Sequence, residues 1–311
     1  MSPAPRSPRP EDWVGAMFVL MGAVLLSAKG IYAKLLYQQG LDFITVMAVR
    51  GLLALPFFLG WGLWQSGLGH ILRAPPRVLF VTLLAGLISF YLGGIGDFYA
   101  LTLIDANLER VILFTYPAMI VLALALHRRR WPHTKVIFGL LLTTVGIMLA
   151  IGGFDAGLWQ ANKVGALLVL ACAVTYAGYF FANDYAGNRI GTRGFVFIVT
   201  TTSTLAVWLH FLVVHDLGDV RLTGHAWLLI AAMTITTTVA PVALLAEGVR
   251  RIGAQRGALL STVGPPSTIA LSALFLGESL RWFQFLGMLA VLAGIYVLER
   301  RTVASAPVSD H

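Results

Sequence analysis

Charged residues are scarce in this sequence. Asp, Glu, Lys and Arg make up 12% of the 311 residues, whereas they make up about a quarter of a typical soluble domain. Hydrophobic residues account for 58%, and the mean hydropathy is +0.81. A chain with so little charge cannot cover a soluble surface, so we expect its surface to face lipid.

Clustered metal ligands and nucleophiles are also lacking. Cys172 is the single cysteine, which excludes an intramolecular disulfide and a cysteine-based metal site. The seven histidines are dispersed, and the sequence has no HExxH, GxSxG or P-loop pattern. These absences argue against a membrane-embedded enzyme. We therefore predict no catalytic residue, no metal and no cofactor.

The chain does have a net charge of +8, which could indicate a nucleic-acid partner. Its Lys and Arg residues, however, lie at the ends of apolar segments and do not form one basic face. We expect no nucleic acid, and a lipid bilayer and a small-molecule substrate as the partners.

Long apolar segments separated by short polar breaks run through the sequence. A spanning helix needs about 20 apolar residues, and the chain has room for ten. The predicted fold is an all-α integral membrane protein of ten transmembrane helices, at 13–36, 43–64, 77–103, 107–126, 133–152, 163–185, 194–214, 225–249, 256–276 and 281–298.

The distribution of basic residues predicts the orientation, because positive loops stay in the cytoplasm. With the N-terminus inside, 15 of the 22 Lys and Arg residues lie on the cytoplasmic side, 5 lie on the opposite side, and Lys29 and Arg50 lie inside helices. We predict a multi-pass protein of the bacterial inner membrane with both termini in the cytoplasm.

An internal repeat relates the two halves of the chain. Five residues recur after 148 positions: Ile104, Ala106, Pro117, Gly139 and Gly146 correspond to Ile252, Ala254, Pro265, Gly287 and Gly294. Residues 14–16 recur at 164–166, an offset of 150. Because each unit holds five helices, the second is inverted. The predicted organisation is a tail at 1–12, repeats at 13–155 and 160–299, and a tail at 300–311.

The end of the second repeat carries a family resemblance. Residues 248–297 hold a helix rich in small residues, a Leu-Gly-Glu-Ser turn and a last helix with spaced glycines. This resembles the EamA-type repeat of the drug/metabolite transporter superfamily, and the first half is similar to a diverged copy, with Arg50-Gly51-Leu52-Leu53-Ala54 and Pro117. The resemblance implies a metabolite transporter whose cavity is lined mainly by helices 1, 3, 4, 6, 8 and 9.

Lys29 is a candidate binding residue, since an ionisable group deep in a spanning helix is costly. Tyr32 shares its helix face, and the repeat places Tyr179 opposite, in a stripe with Tyr176, Phe180 and Asn183. A cation facing an aromatic wall suits a solute with a carboxylate and an apolar side chain. Alternatively, Lys29 reaches the outer interface or pairs with an acid to join two helices.

Other residues inside helices are candidates for the pathway or for gates. Arg50 and Asp97 are predicted at the depth of Lys29, and Glu247 lies near the cytoplasmic end of helix 8. Glu109 and Arg110 start helix 4, where an acid complements the helix dipole, so their predicted role is structural. The predicted pathway residues are Lys29, Tyr32, Tyr91, Asp97, Tyr99, Tyr116, Tyr176, Tyr179 and Asn183, and the predicted gating or kink residues are Arg50, Pro117, Glu247, Pro265 and Pro266.

Prolines and glycines occupy symmetric positions. Pro117 and Pro265 to Pro266 lie near the middle of helices 4 and 9, where lost backbone hydrogen bonds favour kinks. Gly139 with Gly146 and Gly287 with Gly294 each share one helix face, so helices 5 and 10 should pack together, within the molecule or against a second copy. We expect a monomer, with a homodimer through helices 5 and 10 as the alternative.

An inverted repeat favours a carrier that works by alternating access over a passive channel. Within the superfamily, the size and the aromatic content of the cavity helices are similar to those of amino-acid exporters of the YddG type. The predicted function is export of aromatic and neutral amino acids. Efflux of drugs, sugars, nucleosides or polyamines is the alternative.

Overall fold

The computed structural model describes residues 10–66, 73–116, 118–120, 123, 134–216, 222–252, 260 and 263–304, and no β-strand occurs among them. Each of the ten predicted segments is helical where it is described. Their bounds are α1, Pro10–Ser27 and Lys29–Gln38; α2, Phe43–Ser66; α3, Pro76–Leu103; α4, Ala106–Leu113; α5, Thr134–Ile151; α6, Ala156–Ile190; α7, Thr192–Val214; α8, Gly224–Ile252; α9, Gly264–Leu276; and α10, Trp282–Ala304.

Six helices are long and apolar enough to cross a bilayer by length and composition. They are α1, α2, α3, α6, α7 and α8. Three more are apolar but shorter in the described ranges: Ile137–Ile151, Gly264–Leu276 and Trp282–Val297. Large apolar side chains such as Leu209 and Val213 are 68% and 80% exposed, as expected for a protein whose outer surface contacts lipid. The chain is an all-α membrane protein, as its composition predicted.

Two glycine contacts reproduce the internal repeat in three dimensions. A Cβ on Gly15 of α1 would lie 2.6 Å from Ile252 of α8, and a Cβ on Gly165 of α6 would lie 2.5 Å from Ile104 of α3. Both pairs match under the repeat offsets of 150 and 148. The helices approach closely because glycine leaves room for the neighbour's side chain. The contact of α1 in the first repeat with α8 in the second therefore recurs, with the repeats exchanged, as the contact of α6 with α3.

The repeat also extends to local irregularities. α3 contains a π-helical segment at Gly86–Leu92, and α8 contains one at Ile235–Val239. The two segments occupy equivalent positions at the offset of 148. Wide turns of this kind are rare and often occur at functional sites. Their recurrence marks the centre of α3 and α8 as a place where both repeats depart from regular helix.

Helices α5 and α10 pack through their glycine faces inside the molecule. A Cβ on Gly146 would lie 2.7 Å from the carbonyl oxygen of Gly287, and one on Gly287 would lie 2.6 Å from that of Gly146. Thr143 fills the space beside Gly294. Of the two arrangements expected for these faces, the structure contains the contact within one chain. A homodimer is still only a prediction.

Two helices that the sequence predicted to be continuous are interrupted in the structure. α1 is interrupted at Ala28, directly before Lys29, and a turn at Val263 precedes α9. Pro265 and Pro266 therefore occupy the first turn of the described α9, where a missing N–H costs no intrahelical hydrogen bond. The sequence placed them in the middle of a continuous helix. Pro117 lies outside the described residues.

The connection between the halves is held by Asp155. Its Oδ1 accepts a hydrogen bond from the Leu158 N–H at 3.1 Å, which caps the start of α6. Its Oδ2 accepts one from Arg281 Nη1 at 2.6 Å. The backbone N–H of Leu158 and, after it, the guanidinium of Arg281 hold the pKa of Asp155 below its ordinary value.

Gly146→Ala should destabilise the protein, because its methyl group would meet the backbone of α10 at Gly287 and Val291 as well as the Val291 side chain. We expect the free energy of unfolding to fall by about 1–3 kcal/mol, measured as a lower melting temperature in detergent. Gly60→Ala is the control, since a Cβ on Gly60 has no neighbour within 4 Å. Equal melting temperatures for both variants would contradict the close contact.

Stability should fall in acid as Asp155 protonates. A carboxyl group with a depressed pKa contributes stability that is complete above its ordinary pKa of 3.8 and is lost as the pH falls through the depressed pKa. Asp155→Asn should therefore show a smaller drop in melting temperature between neutral pH and about pH 3. Arg281→Gln keeps the bond from Leu158 and should reduce the drop only partly. An unchanged acid profile in Asp155→Asn would refute the assignment.

Candidate functional site

Lys29 lies between two acids at the centre of the bundle. Its Nζ forms an ion pair with Asp97 of α3 and lies 3.2 Å from Oε1 of Glu109 of α4. The Lys29 and Asp97 side chains are 12% and 11% exposed, and Glu109 is 1% exposed. Of the alternatives raised by the sequence, the structure contains the one in which Lys29 pairs with an acid.

The break in α1 positions Lys29. The Ser27 hydroxyl donates to the carbonyl oxygen of Gly264 in α9 at 2.9 Å, and the Thr268 hydroxyl of α9 donates to the carbonyl oxygen of Ser27 at 3.2 Å. Ser27 also donates to Ala23, one turn back, a bond that bends helices. These bonds join the broken turn of α1 to α9, and Lys29 starts the next helical piece.

Glycines in α3 bring Asp97 to the centre. Gly93 lies against Thr175, and a Cβ on Gly96 would be 3.0 Å from the Cys172 sulfur. The Cys172 thiol in turn donates to the carbonyl oxygen of Gly93 at 3.0 Å. The small residues before Asp97 therefore allow α3 to approach α6 closely.

Glu109 and Arg110 are part of the same buried cluster. Glu109 does lie in the first turn of α4, as the helix-dipole argument requires. Every residue of Ala106–Leu113 is buried, however, and Arg110 is 4% exposed. Sequence reasoning missed the contact with Lys29. The signal in the sequence was the very short break at Asp105 before this helix. In the structure the first turn of α4 after that break is buried, so Glu109 is covered although it lies only a few residues from the loop.

Arg50 of α2 supplies another cation. Its Nη1 donates to the Thr238 hydroxyl of α8 at 3.2 Å, and its guanidinium carbon lies 4.9 Å from the centre of the Phe98 ring. Lys29 lies 5.7 Å from the same ring, within the range of a cation–π contact. Three cations, Lys29, Arg50 and Arg110, thus accompany two acids.

Some polar atoms of this cluster lack partners among the described residues. These buried atoms are the Nε of Arg50, the Nε of Arg110 and the Oδ1 of Asp97. A buried donor or acceptor without a partner costs free energy. Two N–H donors and one carboxylate oxygen are therefore available to a bound solute.

An aromatic wall lies beside the cluster; it comprises Phe90, Tyr116, Tyr176, Tyr179 and Phe180. The rings of Tyr116 and Phe180 are stacked, with centres 5.2 Å apart and an angle of 3° between planes. Tyr176 lies 5.8 Å from Tyr116, and Phe90 lies 5.0 Å from Tyr179. The stripe predicted on the sixth helix is thus joined by rings from α3 and from the end of α4.

The aromatic wall and the charged cluster are connected. The Arg110 guanidinium lies 4.9 Å from the Phe114 ring centre, and Phe114 lies 6.2 Å from Tyr116. A solute held at the guanidinium groups would therefore have aromatic rings next to it.

The π-helical segments contribute equivalent residues to this region. Phe90 of α3 belongs to the aromatic wall, and Thr238 of α8 binds Arg50. The two positions match at the repeat offset of 148. The sequence did not single out either residue, because a π-helical turn has no reliable signature in the sequence.

Several predicted pathway residues lie elsewhere. Tyr91 contacts His210, with its hydroxyl 3.3 Å from Nδ1, and Tyr32 packs on the apolar core around α2 and α3. Tyr99 is 42% exposed and contacts Phe43. Asn183 is half-buried, one turn beyond Tyr179, and its Oδ1 has no partner among the described residues.

Glu247 is separate from the central cluster. It pairs with Arg251 one turn later at 2.7 Å, and both side chains are about one-third exposed. The sequence analysis predicts Glu247 as a gating residue, and this role stays a prediction. Within the described ranges, no three His, Cys, Asp or Glu side chains come close enough together to hold a metal ion.

Comparison with known proteins identifies the family. The model of the EamA-like transporter family matches residues 13–152 and again residues 163–300. The chain belongs to the EamA-like transporter family. Its members are transporters and not enzymes, and the family belongs to the drug/metabolite transporter superfamily that the sequence resembles.

Two curated relatives of this EamA-like transporter are also named as transporters. It is 32% identical over 302 residues to the uncharacterized transporter YcbK of Bacillus subtilis (strain 168), covering 94% of each chain. It is 25% identical over 213 residues to the uncharacterized transporter sll1319 of Synechocystis, covering 67% of this chain and 63% of that one. A solved crystal structure, 18% identical with a TM-score of 0.64, covers 93% of this chain and 98% of its own, and shows the same fold.

Replacing Lys29 alone should destabilise the protein more than replacing Lys29 together with its partner Glu109. Lys29→Met removes the cation that pairs directly with two buried acids, which costs about 3–5 kcal/mol. Adding Glu109→Gln to Lys29→Met should recover part of this loss, with a coupling of about 0.5–3 kcal/mol. Melting temperatures of the wild type, both single variants and the double variant measure the coupling. Strictly additive effects would refute the pairing.

Proposed function

We propose that this EamA-like transporter exports aromatic and neutral amino acids by alternating access. It would do so across the inner membrane of a bacterial cell, with both termini in the cytoplasm. The observation that carries the proposal is a buried surplus of cations among the described residues, directly beside an aromatic wall, with guanidinium N–H groups that have no partner in the described part of the chain.

The charges favour a solute with a carboxylate. Lys29 is already neutralised by Asp97 and Glu109, so it is a poor partner for a second anion. Arg50 and Arg110 have buried Nε atoms without partners among the described residues, and guanidinium groups bind carboxylates well. The residues proposed to hold the carboxylate are therefore the two arginines, and not Lys29 as the sequence suggested.

The remaining groups suit the rest of an amino acid. The buried Oδ1 of Asp97 takes no hydrogen bond from the described residues and would accept one from the solute's ammonium group. The rings of Tyr116, Tyr176 and Phe180 offer faces for an apolar or aromatic side chain. A polyamine, which carries only positive charge, would meet three cations at this site.

Transport by purified protein in liposomes tests the proposal. Liposomes are loaded with radiolabelled phenylalanine, leucine, glucose, uridine or putrescine, and release is measured with and without a pH gradient. We expect release of phenylalanine and leucine above the rate of protein-free liposomes, and none of the other three. Release of glucose, uridine or putrescine alone would overturn the amino-acid assignment, and a rate independent of the gradient would exclude proton coupling.

Arg50→Gln should impair carboxylate substrates selectively. Loss of a hydrogen bond to a charged group, worth about 1.5–3 kcal/mol, corresponds to at least tenfold slower phenylalanine release at low concentration. Phenethylamine, which lacks the carboxylate, should be affected less than phenylalanine if it is transported. Arg189→Gln is the matched control, since Arg189 contacts Tyr185 at the exposed end of α6. Equal loss in both variants would contradict the role of Arg50.

A further inference from the structure

Glu278 joins the second repeat to the first at the side of the membrane opposite the N-terminus, here called the distal side. α9 ends at Leu276, and Gly277 adopts a left-handed conformation with φ of +66°, which suits glycine. The Glu278 N–H then donates to the carbonyl oxygen of Ser272 at 3.3 Å. This turn directs Glu278 away from the path of α9.

The Glu278 carboxylate binds the start of α4. Its two oxygens accept the Ala106 N–H at 3.2 and 3.1 Å, and Oε2 lies 3.4 Å from the Asn107 nitrogen. The backbone N–H groups in the first turn of a helix have no partner within the helix, and the helix dipole places positive charge there. Glu278 satisfies these groups with a negative charge from the other repeat.

Lys34 of α1 completes the contact. Its Nζ lies 3.0 Å from Oε1 of Glu278 and 3.6 Å from Oδ1 of Asp105. The Glu278 side chain is 9% exposed, whereas Asp105 is 55% exposed. The ion pair with Glu278 is the better shielded of the two, so solvent and salt weaken it less. We call Lys34, Glu278 and the first turn of α4 the distal clamp.

The distal clamp covers an end of the bundle that is closed. All residues of Ala106–Leu113 are buried, and a Cβ on Gly30 of α1 would lie 3.0 Å from the Ala106 side chain. The buried Lys29, Asp97 and Glu109 lie deeper in the membrane along the same helices. A path from the distal side along α4 to these residues is blocked by the contacts of α4 with Glu278 and with α1.

The repeat gives Lys34 a counterpart of opposite charge on the other side of the membrane. This counterpart is Asp184, an exposed acid. The equivalents of Glu278 and Ala106, which are Arg130 and Ala254, lie outside the described residues. Alternating access requires one side of a carrier to be closed while the other opens, and the distal clamp lies at an end of the bundle that is closed.

We propose that Glu278 is a gating residue, whose contacts with α4 and Lys34 keep the distal end of the pathway closed. The role rests on the alternating access of the proposed function and is independent of the substrate. It requires that Glu278 release α4 each time the distal side opens.

The reactivity of a cysteine in α4 tests this role. Asn107→Cys places a thiol at a position that is 1% exposed, and Cys172 is buried, so the parent protein gives the background. In nanodiscs, both membrane sides are accessible to a membrane-impermeant maleimide, and no transported solute is needed. Adding Glu278→Gln should raise the labelling rate of this cysteine about tenfold, the ratio that corresponds to ~1.4 kcal/mol.

Two control variants distinguish gating from a general loss of acids. Asp155→Asn removes an ion pair made by Arg281 of the same connection, and Asp184→Asn removes the acid at the repeat equivalent of Lys34. Both should label within about twofold of the Asn107→Cys parent. Labelling unchanged by Glu278→Gln, or raised equally by Asp155→Asn, would overturn the proposal. Because no solute is present, failure of amino-acid transport leaves this result valid.

Exchanging the charges of Lys34 and Glu278 separates the contribution of their ion pair from that of the contact with the α4 N-terminus. Lys34→Glu with Glu278→Lys restores an ion pair but places a cation at the positive start of α4. We expect this double variant to label as fast as Glu278→Gln, with a melting temperature near that of the parent. Labelling as slow as in the parent would show that the ion pair alone closes this end and would overturn the role of the α4 N-terminus.

Discussion

A cation buried at the depth of the lipid must have its charge balanced inside the protein. Lys29 meets this requirement through Asp97 and Glu109, and the pairing fixes three helices of the first repeat, α1, α3 and α4, against one another. The break before Lys29 and the glycines before Asp97 follow from the same need, because the amine and the carboxylate meet only where the helices bend or approach closely. The geometry of the centre depends on this ion pair.

The two repeats share their scaffold and differ in their chemistry. Glycine contacts and π-helical segments recur at matching positions, whereas the break at Ala28 has no counterpart in α6, which is continuous through Gly178. The charged cluster is supplied mainly by the first repeat, and much of the aromatic wall is supplied by the second. A symmetric framework thus encloses an asymmetric site.

The fold followed from the sequence because apolar length, basic loops and repeat offsets each depend on local or periodic patterns. The composition of the site was predictable in part: Lys29, Asp97, Tyr176 and Tyr179 were identified by depth and helix face. Glu109, Arg110 and Glu278 were assigned no site role because an acid or base near a helix end resembles an interfacial charge. Whether such an end is covered depends on how the other repeat packs, which the sequence pattern does not contain.

Tyr91 and Tyr99 were predicted as pathway residues but lie away from the charged cluster. Both lie on a predicted cavity helix, yet one contacts His210 and the other is exposed beside Phe43. A helix in lipid has no polar face to indicate which side is inward, since the outer surface is as apolar as the core. The direction of a side chain in such a helix therefore follows from its neighbours and not from hydrophobic periodicity.

Phe90 and Thr238 occupy equivalent turns of the two repeats, one beside aromatic rings and the other bound to Arg50. The two repeats therefore present different side chains to the space between them, although their backbones match. A solute of the proposed kind would meet the arginines of the first repeat at one end and the rings of Tyr176 and Phe180 of the second repeat at the other. Such a site would distinguish the two ends of the solute.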